Sequence, residues 1–365
     1  MKMTAQKTAL ALATGMLLAS SAFAQTAPAV TLYGRLDVGV ESANDGALTK
    51  TMLQNFSSRF GIKGERGFST DLSGLFQVET NFRPDDNTGA DALANRNSFV
   101  GLKSASFGTL LMGNYDTPLK LLDAGGYAGT LYGEGEAMEV IIHGKGTTTV
   151  VPTLVNFGNV HTRAKNNLVY ISPKFADMVV KASYSPDEAK SATQDIPLYA
   201  ASLEWNNGTY NAGIATQSKG ATAAATATAA RYGMSATKFT LGAKMDNLSG
   251  AIVVSALDNQ AFLAADARKT TNTLFVVNYV DGAMTYKFNY GMSGESASNA
   301  QDDLSMMALE AAYALDKQTT LYGSYAQITN SAKAKGAMVG SDSNVTPSKA
   351  GDDPTAITFG IRYNF

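Results

Sequence analysis

Two stretches near the ends of this chain alternate apolar and polar residues over about ten positions each, and that length constrains the fold more than any other feature. In Val30–Val40 the even positions are Val30, Leu32, Gly34, Leu36, Val38 and Val40, while the odd ones include Thr31, Tyr33, Arg35 and Asp37. In Thr355–Phe365 one face carries Ile357, Phe359, Ile361, Tyr363 and Phe365, the other Thr358, Gly360, Arg362 and Asn364. A period of two sends successive side chains to opposite faces of a strand. A soluble barrel would also alternate, but ordinary strands average about five or six residues, whereas a tilted bilayer-spanning strand needs about nine to eleven. The length favours the membrane, and Tyr363 and Phe365 are placed for an interfacial aromatic girdle.

The same unit recurs along the chain. The pattern predicts strands near Gln54–Glu65, Asp71–Arg83, Asn95–Ser104, Phe107–Asn114, Asn166–Ser172, Met178–Ser185, Leu198–Trp205 and Thr209–Gln217. Further strands fall near Thr237–Asp246, Ala251–Asp258, Thr271–Val280, Ala283–Ser293, Leu304–Leu315 and Thr319–Thr329. With the two ends this makes about sixteen, an even number as in bacterial outer-membrane barrels. Asn207-Gly208 and Asp281-Gly282 are tight-turn dipeptides. Long polar connections such as Ser218–Ala236, Asn259–Lys269 and Asn330–Pro354 alternate with the short turns, as external loops alternate with periplasmic turns. Two places are ambiguous. Thr271–Val280 is apolar on both faces, which fits either a contact between protomers or a misplaced boundary, and the division of Thr237–Asp258 at Asn247–Gly250 is a choice.

The fold class is therefore all-β: a transmembrane antiparallel barrel. Mean hydropathy near zero and the absence of a later long apolar run exclude a helical membrane protein. Residues 1–24 read as a cleaved signal peptide, with Lys2 and Lys7 basic, Thr8–Ala19 apolar, and Ala22-Phe23-Ala24 before a cut at Gln25. Residues 25–365 then form a single barrel domain. The chain has no Cys, so neither disulfides nor thiol chemistry enter. Its formal charge of −2 offers no basic excess for a nucleic-acid partner.

The connection from Tyr115 to His161 is too long for an ordinary structureless loop, which points to function. It is rich in Gly and carries Glu134, Glu136 and Glu139. Folded into the lumen, such an acidic segment would narrow it. On the wall, Arg35 shares a face with Thr31 and Asp37, and Arg59 shares one with Ser57, Lys63 and Glu65. Arg at the lipid midplane costs about 2–4 kcal/mol, so these cations are expected to point inward.

At this point the residues resemble a family, the trimeric sixteen-stranded general porins of Gram-negative bacteria. The resemblance rests on Val30–Val40 (VTLYGRLDVGV), Ser58–Gly64 (SRFGIKG), Arg96–Leu102 (RNSFVGL), Phe107-Gly108-Thr109 and Tyr115-Asp116-Thr117-Pro118. It continues through Arg163–Ser185, with Asn166-Asn167, Ser172-Pro173 and Phe175, to the terminal Ile361–Phe365. These strings run in order through nearly the whole mature chain. The resemblance implies a homotrimer of separate pores in the outer membrane, in contact with its lipid and lipopolysaccharide, and a third external loop folded inward. It also implies that the barrel-assembly machinery recognises the end at Phe365. Arg35, Arg59, Arg96 and Arg163 match positions often basic in that family. Asn114, which follows Gly113, stands where the family commonly has Arg, which weakens an inherited anion selectivity. The candidate constriction is thus Arg35, Arg59, Lys63, Arg96 and Arg163 opposite Glu134, Glu136 and Glu139, with weak selectivity leaning to cations.

The expected function is passive diffusion of ions and small hydrophilic solutes, and the alternative is a substrate-specific channel with a saturable solute site. An outer-membrane hydrolase is the rival class. His143 and His161 are the only imidazoles, and neither sits near a Ser in a recognisable nucleophile arrangement. The carboxylate pairs Asp302-Asp303 and Asp352-Asp353 read as solvated loop charges, and no metal site or cofactor is expected. A small adhesion barrel would have about eight strands, half the number counted here.

Overall fold

A computed structural model describes residues 29–85, 92–123, 131–137, 162–191, 195–220, 233–258, 269–296, 301–339 and 344–365. The expected leader lies outside them. Strands run in sequence order: β1 Ala29–Asn44, β2 Thr49–Asn55, β3 Arg59–Gly67, β4 Leu72–Asn81, β5 Ser98–Ser104, β6 Gly108–Asp116, β7 Arg163–Ile171, β8 Met178–Ser185 and β9 Leu198–Asn206. They continue with β10 Tyr210–Lys219, β11 Met234–Met245, β12 Leu248–Asp258, β13 Lys269–Asp281, β14 Met284–Ser293, β15 Leu304–Ala314 and β16 Thr319–Asn330. A two-stranded ribbon follows, β17 Met338–Val339 and β18 Asn344–Val345, and β19 Thr355–Asn364 ends the chain.

Each long strand pairs antiparallel with its neighbour, and β1 pairs with β19 from Arg35↔Asn364 to Asn44↔Thr355, which closes the sheet. Closure leaves no open edge to be desolvated in lipid. The sheet counts seventeen strands, but β2 and β3 are two halves of one stave: β1 pairs with β2 from Val38↔Asn55 and with β3 from Arg35↔Arg59. The barrel therefore has sixteen staves, as the pattern predicts.

Between those halves, residues 56–58 stand opposite residues 36 and 37, so one extra residue is inserted, and Ser57 takes φ 63°. The bulge changes the phase of the stave. Met52 and Gln54 pair with the inward Glu41 and Gly39 before it, whereas Arg59 pairs with the inward Arg35 after it. The single strand expected over Gln54–Glu65 is thus two strands of opposite parity.

The alternation sorts side chains as the sequence suggests. Val30, Leu32 and Val40 are 59%, 61% and 53% exposed on the outer face, while Asp37 and Glu41 are fully covered on the inner one. At the short-turn rim the outward Tyr210, Tyr279, Tyr286, Tyr313, Tyr363 and Phe365 form an aromatic girdle. Gly208 and Gly282 make their turns at φ 95° and 57°. The turn between β11 and β12 is Asp246-Asn247, tighter than expected, and Leu248–Gly250 already belongs to β12.

The inside of the barrel holds an apolar core. Val253, Leu274, Val276, Met306, Ala308, Ala326 and Ile328 project inward from β12, β13, β15 and β16 and are nearly inaccessible. Leu131 of the long connection and Ala334, Met338 and Val345 of the last connection join them in one cluster. Thr271–Val280 is apolar on both faces for this reason: Phe275 and Val277 look outward, while Leu274 and Val276 lie beneath the two loops. The last connection, expected as a polar external loop, folds partly back onto the inner wall.

Candidate functional site

The inner wall of β1–β7 carries a belt of cations. Arg35 and Arg59 stand directly opposite each other in the β1–β3 register. Like charges in that position repel, so each needs other partners. Arg35 Nε donates to the Ser57 carbonyl at 2.9 Å, an acceptor that the bulge turns out of the ladder. Arg59 Nε lies 4.0 Å from Glu79 Oε2, and Arg96 Nε donates to Glu79 Oε1 at 2.7 Å. Arg96 also reaches Asn81 Oδ1 at 2.8 Å.

Glu79 is itself held in place. Tyr33 lies flat across Gly61, and its hydroxyl donates to Glu79 Oε2 at 3.0 Å. A Cβ on residue 61 would stand 2.7 Å from Tyr33 Cζ, so glycine is what lets the ring cross that strand. Lys63 Nζ sits 4.9 Å above the same ring, on an exposed side chain. At the loop end of the belt, Arg163 Nη2 is 3.3 Å from Asp116 Oδ1 and its Nε donates to Asn97 Oδ1 at 2.7 Å. Asn114 donates from Nδ2 to the Arg96 carbonyl at 2.9 Å.

The long connection starts inward immediately after β6. Thr117 caps α1 (Pro118–Leu121) and donates to Gln217 Oε1 at 2.7 Å. Leu119 and Leu122 pack on the inward Ala215, Ala236 and Leu257 of β10–β12, and the buried Lys238 donates to the Leu122 carbonyl at 2.9 Å. The segment from Leu131 through the 3₁₀ turn Gly133–Ala137 packs instead against β15, β16 and β19. Both described pieces therefore lie on the inner face, on different parts of the wall.

At the second piece the Tyr132 ring lies 4.3 Å from Lys287 Nζ, 4.0 Å from Arg362 Cζ and 5.0 Å from the Tyr322 ring. Both cations also have carboxylates. Lys287 is 2.9 Å from Glu310 Oε1, and Arg362 Nε donates to Asp37 Oδ2 at 2.6 Å. Tyr322 crosses Gly360 and donates to Asp37 Oδ1 at 2.8 Å, repeating the arrangement of Tyr33 over Gly61.

The structure gathers Arg35, Arg59, Lys63, Arg96 and Arg163 on one side of the lumen, and among the described residues Glu79 and Asp116 of the wall pair with Arg59, Arg96 and Arg163. Glu134 is fully buried in the turn against β16 and β19. The Glu136 side chain and Glu139 fall outside the described residues, as do His143 and His161. Sequence reasoning passed over Glu79, Asp116, Tyr132, Lys238, Lys287, Glu310 and Arg362. Period two places the wall members of this set on polar strand faces, but it does not select them from the other polar residues there. Among the described residues no group of three or more His, Asp or Glu could hold a metal ion.

A family model described as Gram-negative porin matches residues 8–333 of the chain. The major outer membrane protein P.IB of Neisseria lactamica is 28% identical over 248 residues, 65% of this chain and 64% of that protein. P.IB of Neisseria gonorrhoeae is 35% identical over 105 residues, 26% of this chain and 29% of its own length. The chain thus matches less than two thirds of the length of these relatives. Among solved structures, the anion-selective porin from Comamonas acidovorans superposes with a TM-score of 0.79 at 19% identity, over 93% of this chain and all of that one. The in-vitro folded OmpT of Vibrio cholerae, in its trimer form, gives a TM-score of 0.69 at 16% identity, over 93% of this chain and 100% of its own.

Proposed function

The chain belongs to the Gram-negative porin family, and on that premise we propose that it forms a water-filled outer-membrane channel for passive diffusion of ions and small hydrophilic solutes. The observation that carries this reading is the cationic belt. Two arginines are kept face to face on the inner wall although a neutral pair would serve the sheet better. Charge retained at such a cost is accounted for by a role in an aqueous path.

The constriction consists of Arg35, Arg59, Lys63, Arg96 and Arg163, with Glu79 and Asp116 engaged beside them. Glu134, expected to oppose this belt, is buried against other strands. Among the described residues the five cations outnumber the carboxylates paired with them, and on that balance the channel favours anions weakly, the reverse of what the loop sequence suggests. Anion selectivity in the Comamonas acidovorans porin is a property of that protein; here the ground is the charge of this wall. Arg59, at 31% side-chain exposure, is the more open of the two arginines on Glu79. Arg59→Ala is expected to raise single-channel conductance in a planar bilayer and move the reversal potential in a salt gradient towards cations. If neither changes, Arg59 stands away from the narrow zone. Conductance blocked saturably by one solute would favour a substrate-specific channel.

The channel works as one pore of a homotrimer embedded in outer-membrane lipid and lipopolysaccharide, inserted through recognition of the chain end at Phe365. The family resemblance and the trimer form of the Vibrio cholerae relative support this assembly.

A further inference from the structure

The lumen has two unlike sides. Along β1–β7 the inner wall keeps accessible cations such as Arg59 and Lys63. Along β14–β19 the cations Lys287 and Arg362 have only 10% and 12% of their side chains exposed. What lies over them is Tyr132, whose ring contacts both, while its backbone N–H donates to Glu310. The residues flanking Tyr132 fit the wall as closely. Leu131 is 1% exposed in the inner apolar cluster, and a Cβ on Gly133 would meet Ser324 Oγ at 2.8 Å and Thr358 at 3.0 Å. Gly133 adopts φ 60°, a conformation suited to glycine, and so lets the chain turn flat against the strands.

We propose that Tyr132 is a positioning residue of the constriction, mooring the long connection to the wall through its ring and covering two cations that would otherwise face the solute path. The inference rests on the channel reading for its consequence and on geometry alone for the mooring. A tyrosine face is attracted to ammonium and guanidinium groups, more strongly where water is excluded, and here one ring serves two such groups. Glu310 adds direction, because its carboxylate receives the Tyr132 N–H and pairs with Lys287 at once. Removing the ring would free the segment from the wall and uncover the Lys287–Glu310 and Arg362–Asp37 pairs. Tyr132 thus sets the width of the path.

The test compares Tyr132→Leu, which keeps bulk and loses the aromatic face, with Tyr132→Phe, which keeps the face. Hydrogen exchange on the detergent-solubilised full-length protein is expected to show amides 131–135 exchanging about tenfold faster in Tyr132→Leu, about 1.4 kcal/mol. Amides of β15 should be unchanged, which confirms an intact barrel, and Tyr132→Phe should retain the protection. In planar bilayers Tyr132→Leu is expected to conduct more. Unchanged exchange in Tyr132→Leu would overturn the mooring, and so would equal loss in Tyr132→Phe, since the hydroxyl would then be the anchor. Faster exchange with unaltered conductance would overturn the role in the constriction. A wild-type protein that gives no conductance steps would remove the channel reading, and the exchange contrast would still decide whether the ring holds the segment.

Discussion

Tyr33 and Tyr322 each lie across a glycine of the adjoining strand to reach a carboxylate beyond it, Glu79 in one case and Asp37 in the other. Each hydroxyl fixes an acid that in turn holds an arginine, so the direction of Arg96 and Arg362 depends on a tyrosine of another strand. A hydrogen bond to a charged acceptor contributes about 1.5–3 kcal/mol. Gly61→Ala is expected to displace the Tyr33 ring and to destabilise the barrel about as much as Tyr33→Phe, read from the urea midpoint in mixed micelles. In a Tyr33→Ala background the same glycine change should cost little, because the ring it collides with is gone. Additive losses in that pair would mean that Gly61 serves the strand backbone and not the tyrosine. The inward direction of Tyr33 is legible in the alternation of Val30–Val40. Its seat over Gly61 is not, since the register between two strands is a non-local property.

At the scale of the element, strands were legible because lipid and water demand opposite chemistry from adjacent positions. The observed Met178–Ser185 and Thr355–Asn364 lie within a residue of the pattern. The bulge at 56–58 was hidden because Ser57 continues the polar series of Asn55, Arg59 and Lys63 while the backbone slips by one. The inner apolar core was hidden for a different reason. Period two separates apolar from polar faces, but an apolar residue against a loop and one against an acyl chain look alike in sequence. Substitution separates them. Lipid is fluid and refills the space left by a truncated outward side chain, whereas a packed interior relaxes only partly. Leu274→Ala, at a fully buried inward site, is expected to cost about 2–5 kcal/mol in unfolding free energy. Phe275→Ala, at an outward site 37% exposed, should cost clearly less although it removes more atoms. Equal costs would argue that Leu274 meets a mobile medium and that the loops do not cover it.

At the scale of the whole molecule, the barrel is closed by its own two ends. Gly34 N donates to the Phe365 carbonyl at 2.9 Å, and Phe365 N donates to the Gly34 carbonyl at 3.0 Å. The Phe365 ring lies over Gly34, where a Cβ would come within 2.5 Å of its Cζ, and stacks on Tyr363 at a centroid distance of 6.4 Å. The last residue is therefore a closing piece of the seam as well as a candidate assembly signal, and deleting it removes both. Gly34→Val separates the two roles, since a Cβ there meets both the Phe365 ring and the Arg59 carbonyl at 2.6 Å and so loosens the closing strands while leaving the C-terminal sequence intact. If recognition dominates, deletion of Phe365 lowers the amount of heat-modifiable barrel in the outer membrane with export unaffected, while Gly34→Val assembles in normal amount but unfolds at a lower temperature. If the seam dominates, both variants lose assembled barrel to a similar extent, because unpaired backbone groups at an open edge cost several kcal/mol each in lipid. Normal assembly of the deletion would dispose of both roles and leave Phe365 an ordinary member of the aromatic girdle.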